Sequence, residues 1–286
     1  MRAAAFGLYR VRVPMYYVAA VILIANVIVL NLALPQPVLA VWRVLLFAAL
    51  AAMLCAALLS YLVPRWLPAR PTIAVAAPVS GRWLALNSPA TKTPSHGVRA
   101  YGQTYAIDLI AEPAGKARPE FGGPAMRAST DYPAFGAPVF AMLDGTVVRA
   151  SDWRRDHRAR SNVFGFIYLT FEGMIRQLGG PGFIVGNHVT IRSDDGTYAA
   201  VAHLQQGSVA VRVGERVTVG TRIGTCGNSG NSSEPHVHAQ LMDRASFWTG
   251  EGIPMAFESI SLGDDPTLVD ALPADGESMN MPETRR

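Results

Sequence analysis

The sequence predicts an all-β domain, a small folded-over antiparallel sheet, that follows an N-terminal hairpin of two membrane-spanning helices. Three observations predict this arrangement. Two uncharged apolar stretches lie within the first 63 residues, short β-branched segments alternate with turn residues from about residue 82 onward, and glycines recur closely at positions 214, 220 and 224. A chain of 286 residues has room for one membrane module and one globular domain.

The two apolar stretches cover about residues 13–34 and 44–63. Each approaches the ~20 apolar residues that cross a bilayer as a helix. The turn LPQP at 34–37 joins them. The first stretch is too long for the apolar region of a signal peptide, and no convincing cleavage site follows it. We therefore predict a transmembrane hairpin that contacts membrane lipid.

Beyond the hairpin the chain divides by composition. A Pro/Arg-rich linker covers 64–81, a globular domain 82–263, and an acidic, polar tail 264–286 that is predicted to be disordered. β-Branched runs bounded by turn residues predict the strands of the domain. These strands are 105–110, 138–143, 145–151, 187–193, 197–204, 209–213 and 236–243. Two insertions are expected, a surface loop at 111–135 and a short helix at 163–178 that packs on the domain.

Glycine spacing bears on the kind of sheet. Gly214, Gly220 and Gly224 are expected to make tight turns between short strands that cross at corners. Biotinyl and lipoyl carriers, phosphohistidine carriers and one class of metallopeptidase share this pattern, so the fold alone does not select a function. A lipoyl or biotinyl carrier needs a lysine at a hairpin tip, and the two lysines, Lys92 and Lys116, lie outside the predicted strands.

Charge and cysteine content exclude few other classes of function. The net charge is +4 with scattered arginines, so no nucleic-acid partner is predicted. Cys55 lies in the second apolar stretch and Cys226 in the domain, and both are expected to be free thiols.

The most informative motif is His236-Val237-His238. Residues i and i+2 of a strand point to the same face, so the two imidazoles are expected to lie side by side. Paired imidazoles commonly bind a metal ion or transfer protons. A phosphohistidine carrier could use His236, but it would not need His203 of the His-Leu pair or Asp108 of the segment AIDL as well.

Five segments, taken in order, resemble those of the lysostaphin-type, LytM-like zinc endopeptidases. They are FGAPVFAMLDGTVV (135–148), GNHVTI (186–191), YAAVAHL (198–204), VRVGERVTVGTRIG (211–224) and GNSGNSSEPHVH (227–238). The resemblance implies one zinc ion per domain, with Asp108 and His238 as ligands and with His203 and His236 as the catalytic pair. It also implies hydrolysis of peptide bonds in peptidoglycan stems or cross-bridges.

The third ligand departs from the family pattern. The family places a histidine four residues before the aspartate, where this chain has Thr104. We predict that His96, twelve residues before Asp108, takes that place, with a loop that Gly97 and Gly102 permit.

The other histidines receive no role in the site. His188 is predicted to be a packed strand residue and His157 to be solvated.

Two questions stay open at this level. A degenerate relative without zinc, which binds or activates another cell-wall hydrolase, is the alternative function.

The positive-inside rule favours a cytoplasmic domain, because arginines flank the hairpin at both of its outer ends. Those arginines are Arg2, Arg10, Arg12, Arg65, Arg70 and Arg82. Peptidoglycan chemistry requires an extracytoplasmic domain, and we predict that location at the bacterial cytoplasmic membrane.

Overall fold

The computed structural model describes residues 2–281 and divides into two compact units, Met1–Ala69 and Arg70–Arg286. The first unit is helical. Its helices are α1 (Arg2–Arg10), α2 (Arg12–Val29) and α3 (Gln36–Leu62), the last followed by a 3-10 turn at Val63–Arg65. Helix α1 is absent from the sequence-based prediction, which began the first apolar stretch at residue 13.

Helices α2 and α3 pack against each other in the first unit. The Nε1–H of Trp42 donates a hydrogen bond of 2.8 Å to Oδ1 of Asn26, which satisfies a polar group within an apolar stretch. By length and composition, Arg12–Val29 and Gln36–Arg65 are two candidate membrane spans. The connecting turn lies at 30–35, and Pro37 occupies the first turn of α3, where its missing N–H costs no hydrogen bond.

Strands are the main regular structure of the second unit, which confirms the all-β prediction. The strands are β1 (Ile73–Val75), β2 (Gly81–Leu86), β3 (Ile107–Ala111), β4 (Met126–Arg127), β5 (Pro138–Phe140), β6 (Gly145–Ser151), β7 (Ala159–Arg160), β8 (Asn187–Arg192), β9 (Tyr198–Leu204), β10 (Arg216–Val217), β11 (Arg222–Thr225), β12 (Val237–Met242), β13 (Gly252–Ile253), β14 (Met255–Leu262), β15 (Val269–Ala271) and β16 (Ser278–Met281). Helices α4 (Val163–Leu178) and α5 (Pro181–Val185) interrupt them, and 3-10 turns lie at Ala100–Tyr105 and Ser129–Asp131.

Twelve strands form one sheet, in the order β1-β14-β16-β2-β3-β12-β9-β8-β6-β10, with β13 beside β12 and β15 beside β14. Strands β5 and β11 form a separate pair, as do β4 and β7. Strand β12 lies between β3 and β9, and all six of its residues are buried. Apolar side chains such as Ile107, Leu109, Val201 and Leu241 fill the core beside it. The HVH motif therefore lies at the centre of the sheet.

Two of the sequence-based expectations for this sheet are wrong in detail. Residues 209–213 form no strand; the backbone N–H of Val209 donates to Asp152 Oδ2, and that of Ala210 donates to the carbonyl oxygen of Ile223. Gly214 and Gly220 make the expected turns, with φ of 90° and 80°. Gly224 instead lies within β11, at an irregularity in its pairing with β5.

The linker and the tail also differ from expectation. Residues 73–75 of the predicted linker form β1, which pairs in parallel with β14. The predicted disordered tail is wrong for residues 264–281, which contain β15 and β16. Strand β16 inserts between β14 and β2 and buries Met279 completely, which explains why this polar segment is ordered. Residues 282–286 lie outside the described part of the chain.

Candidate active site

Strand register brings the first two predicted ligands together. His238 of β12 lies directly opposite Asp108 of β3 in the antiparallel ladder. Its Nδ1 atom is 2.8 Å from Oδ1 of Asp108. Both side chains are buried, the carboxylate being 10% exposed. The alternation of side chains along these two strands therefore places one imidazole and one carboxylate on the same face.

The third predicted ligand reaches this pair from a loop. His96 Nε2 lies 3.1 Å from Oδ2 of Asp108, and its ring centroid is 4.9 Å from that of His238. Gly97 and Gly102 have φ of 73° and 75°, conformations that glycine adopts without strain. The structure thus brings His96, Asp108 and His238 into one cluster, although twelve residues separate the first two.

Hydrogen bonds define which nitrogen of His238 faces the carboxylate. The amide N–H of Gln240 donates to the carbonyl oxygen of Tyr101 over 2.9 Å, which orients the Gln240 side chain. Its Oε1 then lies 2.8 Å from Nε2 of His238, so that Nε2 must carry the proton and donate. The Nδ1 lone pair of His238 consequently points at Asp108.

The same reasoning applies to His96. The hydroxyl of Ser95 donates to the carbonyl oxygen of Gln103 over 3.2 Å, and it therefore accepts from Nδ1–H of His96 over 3.0 Å. The Nε2 lone pair of His96 then faces Asp108. Two imidazole lone pairs and one carboxylate oxygen, all within 4.8 Å of one another, repel unless a proton or a metal cation lies among them. This donor set fits a metal ion with three protein ligands.

A fourth polar group supports the carboxylate. The side-chain N–H of Asn87 donates a hydrogen bond of 2.8 Å to Oδ2 of Asp108. Burial by itself would raise the pKa of Asp108, but His96, His236 and His238 together hold that pKa well below its usual range. The carboxylate is therefore ionised in the absence of metal and ready to bind a cation.

The two remaining predicted site residues, His203 and His236, lie beside this cluster with ring centroids 4.7 Å apart. Nδ1 of His203 is 2.7 Å from the carbonyl oxygen of Ser229, and Nδ1 of His236 is 2.8 Å from that of Glu234. Because a carbonyl only accepts, both Nδ1 atoms carry protons, and Nε2 is the remaining nitrogen of each ring. His236 Nε2 lies 3.5 Å from Asp108 Oδ1.

The environments of these two histidines differ. Burial is the main cause that lowers the pKa of His203 well below its usual value, and the neighbouring His236 and His238 lower it further. Burial also opposes protonation of His236, but the charge and hydrogen bond of Asp108 outweigh it and raise the pKa of His236. His203 adopts a φ of 60° within β9, a conformation that is strained for a residue with a side chain.

A cavity of about 370 Å³ opens onto the cluster. All five predicted site residues line it, together with Phe166 and Leu169 of α4. A second cavity of about 380 Å³ shares Asn87, Phe166 and Ser233 with the first. Because they share these lining residues, the two cavities together form one groove beside the cluster.

Other histidines and the buried cysteine lie apart from the cluster. His188 is buried in β8 with its ring against Phe247, as predicted. His157 is not solvated as predicted, because Nε2 lies 2.9 Å from the carbonyl oxygen of Gly230 and the ring is partly buried. Cys226 and Cys55 are free thiols, and Cys226 is buried in the core.

Sequence reasoning missed three groups that hold the site residues: Asn87, Ser95 and Gln240. Gln240 is two residues beyond His238 on the same strand, so the alternation of side chains that paired His236 with His238 also places Gln240 on that face. Asn87 follows Leu86, which pairs with Asp108, but no sequence signal marks this position.

Known proteins that are similar to this chain include a peptidase family and several solved structures. The model of peptidase family M23 matches residues 126–248, which include His203, His236 and His238 but not His96 or Asp108. The chain is similar to the catalytic domain of lysostaphin from Staphylococcus simulans, at 21% identity over 52% of this chain and 74% of that one, with a TM-score of 0.31. It covers 45% of the longer lysostaphin chain.

Two further solved structures show similar values. A zinc-containing peptidase from Vibrio cholerae is 19% identical over 72% of this chain and 41% of that one, with a TM-score of 0.30. The catalytic domain of a prophage-encoded M23 protein from Enterococcus faecalis is 21% identical over 51% and 87% of the two chains, with a TM-score of 0.28. The match to the peptidase family M23 model, over residues 126–248, thus includes three of the four clustered histidines, His203, His236 and His238.

Proposed function

We propose that this chain is a membrane-anchored zinc metalloendopeptidase that hydrolyses peptide bonds in peptidoglycan stems or cross-bridges. The observation that supports this most directly is the convergence of two imidazole lone pairs on the Asp108 carboxylate within an M23 domain. His96, Asp108 and His238 would hold one zinc ion. When bound, zinc lowers the pKa of a water molecule and polarises the scissile carbonyl.

The proton-handling roles belong to His203 and His236. Both rings have Nδ1 occupied by a backbone carbonyl, so Nε2 is the atom that exchanges a proton with water or with the leaving amine. The rings are buried and held by these hydrogen bonds, so little reorganisation is needed at the moment of reaction. One histidine accepts the proton of the attacking water, while the other donates to the developing negative charge on the carbonyl oxygen.

The groove favours a peptide over a small-molecule substrate. Its two cavities meet at Asn87, Phe166 and Ser233, beside the histidine cluster. In the second cavity, Arg118 forms an ion pair with Glu234 close to the loop that carries the HVH motif. An extended peptide lying along both cavities would pass the histidine pair in mid-chain, as an endopeptidase requires.

The two candidate spans support the proposed anchor, and the peptidoglycan substrate supports the proposed location. Helices α2 and α3 would cross the cytoplasmic membrane as a hairpin, with the M23 domain on the extracytoplasmic side where peptidoglycan lies. A reporter fused after Arg286 that is active only in the cytosol would contradict this location and the proposed substrate.

The test uses the purified full chain in lipid nanodiscs, with metal analysis and mass spectrometry of peptides released from peptidoglycan. His238→Ala is expected to lose both zinc and hydrolysis, whereas His203→Ala and His236→Ala should retain zinc and lose hydrolysis. His157→Gln, a histidine change outside the cluster, is the matched control and should keep both. Hydrolysis by His238→Ala would refute the mechanism. A wild-type chain without stoichiometric zinc or hydrolysis would favour the alternative, a zinc-free module that binds or activates another wall hydrolase.

A further inference from the structure

Helix α4 turns its apolar side chains outward. Its sequence VFGFIYLTFEGMIRQL would bury those side chains if the helix packed as an ordinary surface helix does. Instead Phe164 is 75% exposed, Ile175 69% and Phe171 63%. Val163, Ile167, Met174 and Leu178 are also exposed. A contiguous apolar face of this kind on a water-soluble domain marks a contact surface.

The opposite face of α4 fixes this orientation. Gly165 and Gly173 are the buried residues of the helix. A Cβ atom at Gly165 would lie 2.4 Å from the carbonyl oxygen of Ala125, so the backbone approaches the domain more closely than any side chain would allow. Glu172, on the same side, forms ion pairs with Arg160 at 2.6 Å and Arg176 at 2.7 Å. Arg176 lies on α4 itself, so the contacts that oppose rotation of the apolar face inward are the close approach at Gly165 and the Glu172–Arg160 ion pair.

A basic cavity of about 240 Å³ adjoins the C-terminal half of α4. Arg154, Arg155, Arg176 and His157 line it with Trp153, and Glu172 is the single acidic residue of its lining. Within residues 2–281, neither Arg154 nor Arg155 forms an ion pair with a carboxylate.

Aromatic rings frame the same cavity. The Arg154 guanidinium lies 4.1 Å above the ring of Trp153 and 3.7 Å above that of Phe183. Trp153 is itself 65% exposed. Exposed aromatic and apolar side chains beside unpaired guanidinium groups are the composition of a surface that binds at the level of lipid headgroups.

The connection between the two units is short, an argument that rests on the proposed membrane anchoring. The second candidate span ends at Arg65, and the β-rich unit begins at Arg70. Five peptide steps extend at most roughly 18 Å. Anionic lipid headgroups would complement the positive charge of Arg154 and Arg155. Docking to a protein would instead require a second protein.

We propose that the outward face of α4 and the adjoining arginine cavity form a docking site for a bilayer surface that contains anionic phospholipid. The apolar side chains enter the boundary between headgroups and acyl chains, and the guanidinium groups of Arg154 and Arg155 bind lipid phosphate. Docking is distinct from anchoring by α2 and α3, since it uses other residues and depends on lipid charge.

Site-specific fluorescence distinguishes docking by α4 from anchoring by α2 and α3. The full chain is placed in nanodiscs that contain nitroxide-labelled lipid, with a single fluorophore at one of three positions. Native Cys55 in α3 reports anchoring, since Cys226 is buried. In a Cys55→Ser background, Ile175→Cys reports docking, and Val213→Cys, an exposed valine of the same domain, is the matched control. The docking site predicts quenching at position 175 and not at 213, and stronger quenching when phosphatidylglycerol replaces part of the phosphatidylcholine.

Charge variants complete the test. Arg154→Gln and Arg155→Gln should each reduce the ratio of docked to free domain about five-fold in anionic nanodiscs. Arg222→Gln, an exposed arginine elsewhere in the domain, should leave it unchanged.

Each remaining result has a defined meaning. No lipid quenching at position 175 in any mixture overturns the docking site, whatever Cys55 shows. Protection of position 175 from aqueous iodide without lipid quenching also overturns it, because a protein, such as a second copy of the chain, then covers the face. Quenching at position 175 without quenching at Cys55 supports docking and refutes the proposed anchor.

Discussion

Gln240 Oε1 accepts a hydrogen bond of 2.8 Å from Nε2–H of His238, two residues earlier on the same strand. The amide N–H of Gln240 is in turn held by the carbonyl oxygen of Tyr101. A residue that fixes the tautomer of a metal-binding histidine raises the affinity of the site, because the correct nitrogen is already free of its proton.

Gln240→Leu is therefore expected to weaken zinc binding by about 10- to 100-fold. Gln240→Glu keeps an acceptor for His238 and should retain more of the affinity. Competition with a chelator of known affinity measures both variants, and thermal denaturation checks that they fold. Equal affinity of the leucine variant and the wild type would contradict the positioning role.

Asn87 allows its side-chain contact and its backbone conformation to be tested separately. It has a φ of 48° and donates to Asp108. Asn87→Ala and Asn87→Gly both lose the hydrogen bond and should weaken zinc binding equally. Only alanine is strained at this φ, so the alanine variant should be less stable than the glycine variant by about 1 kcal/mol, measured by denaturant unfolding. Equal stability of the two variants would show that the backbone is not strained at this position.

His188 makes stability depend on pH. Burial is the main cause that lowers its pKa from 6.5 to about 4. The unfolded chain binds the proton more tightly, so this stabilising contribution is complete above pH 6.5 and is lost as the pH falls towards about 4. The loss is about 3 kcal/mol at most.

A His188→Phe variant isolates this effect. It should lose less stability than the wild type between pH 7 and pH 4, as measured by unfolding at several pH values. Parallel curves for the two proteins would mean that His188 does not titrate differently in the folded state.

The close approach of α4 to the domain predicts that alanine substitutions at Gly165 and at Gly182 differ in their effect on stability. Gly165→Ala would place a Cβ atom against the backbone oxygen of Ala125 and should destabilise the domain by about 1–3 kcal/mol. Gly182→Ala meets only Arg154 Nη2, at an ordinary contact distance of 3.5 Å, and should be neutral or slightly stabilising. Thermal unfolding measures both, and a neutral Gly165→Ala would show that α4 can shift.

Local sequence patterns predicted five of the twelve strands of the large sheet, and the family resemblance supplied the candidate site residues. β-Branched segments at 145–151 and 198–204 became strands, because their side chains fit a buried pleated surface. Strand β16 was missed, since Ser278–Met281 has no strong pattern and is ordered by its neighbours β14 and β2. Long-range pairing of this kind leaves no local signal in a sequence.

The same contrast between local patterns and long-range contacts applies to the candidate site. The HVH motif placed two histidines on one face because alternation along a strand is local. The approach of His96 to Asp108 depends on a loop whose path is set by hydrogen bonds among Ser95, Gln103 and Thr104. The sequence therefore indicated His96 as a candidate ligand but could not predict its distance from Asp108. The exposure of the apolar face of α4 was also not predictable, because an apolar segment of helical period normally packs its apolar face inward. In α4 the buried face is instead the one that carries Gly165 and Gly173.

His203 combines a strained φ of 60° with a place in the site. Asparagine or glycine would adopt this conformation at lower cost, so the wild-type residue lowers the stability of its own domain. Under the proposed function, directed evolution for heat resistance alone would accordingly replace His203 and enrich stable but inactive proteins, so a thermostability screen of this domain needs a simultaneous selection for hydrolysis.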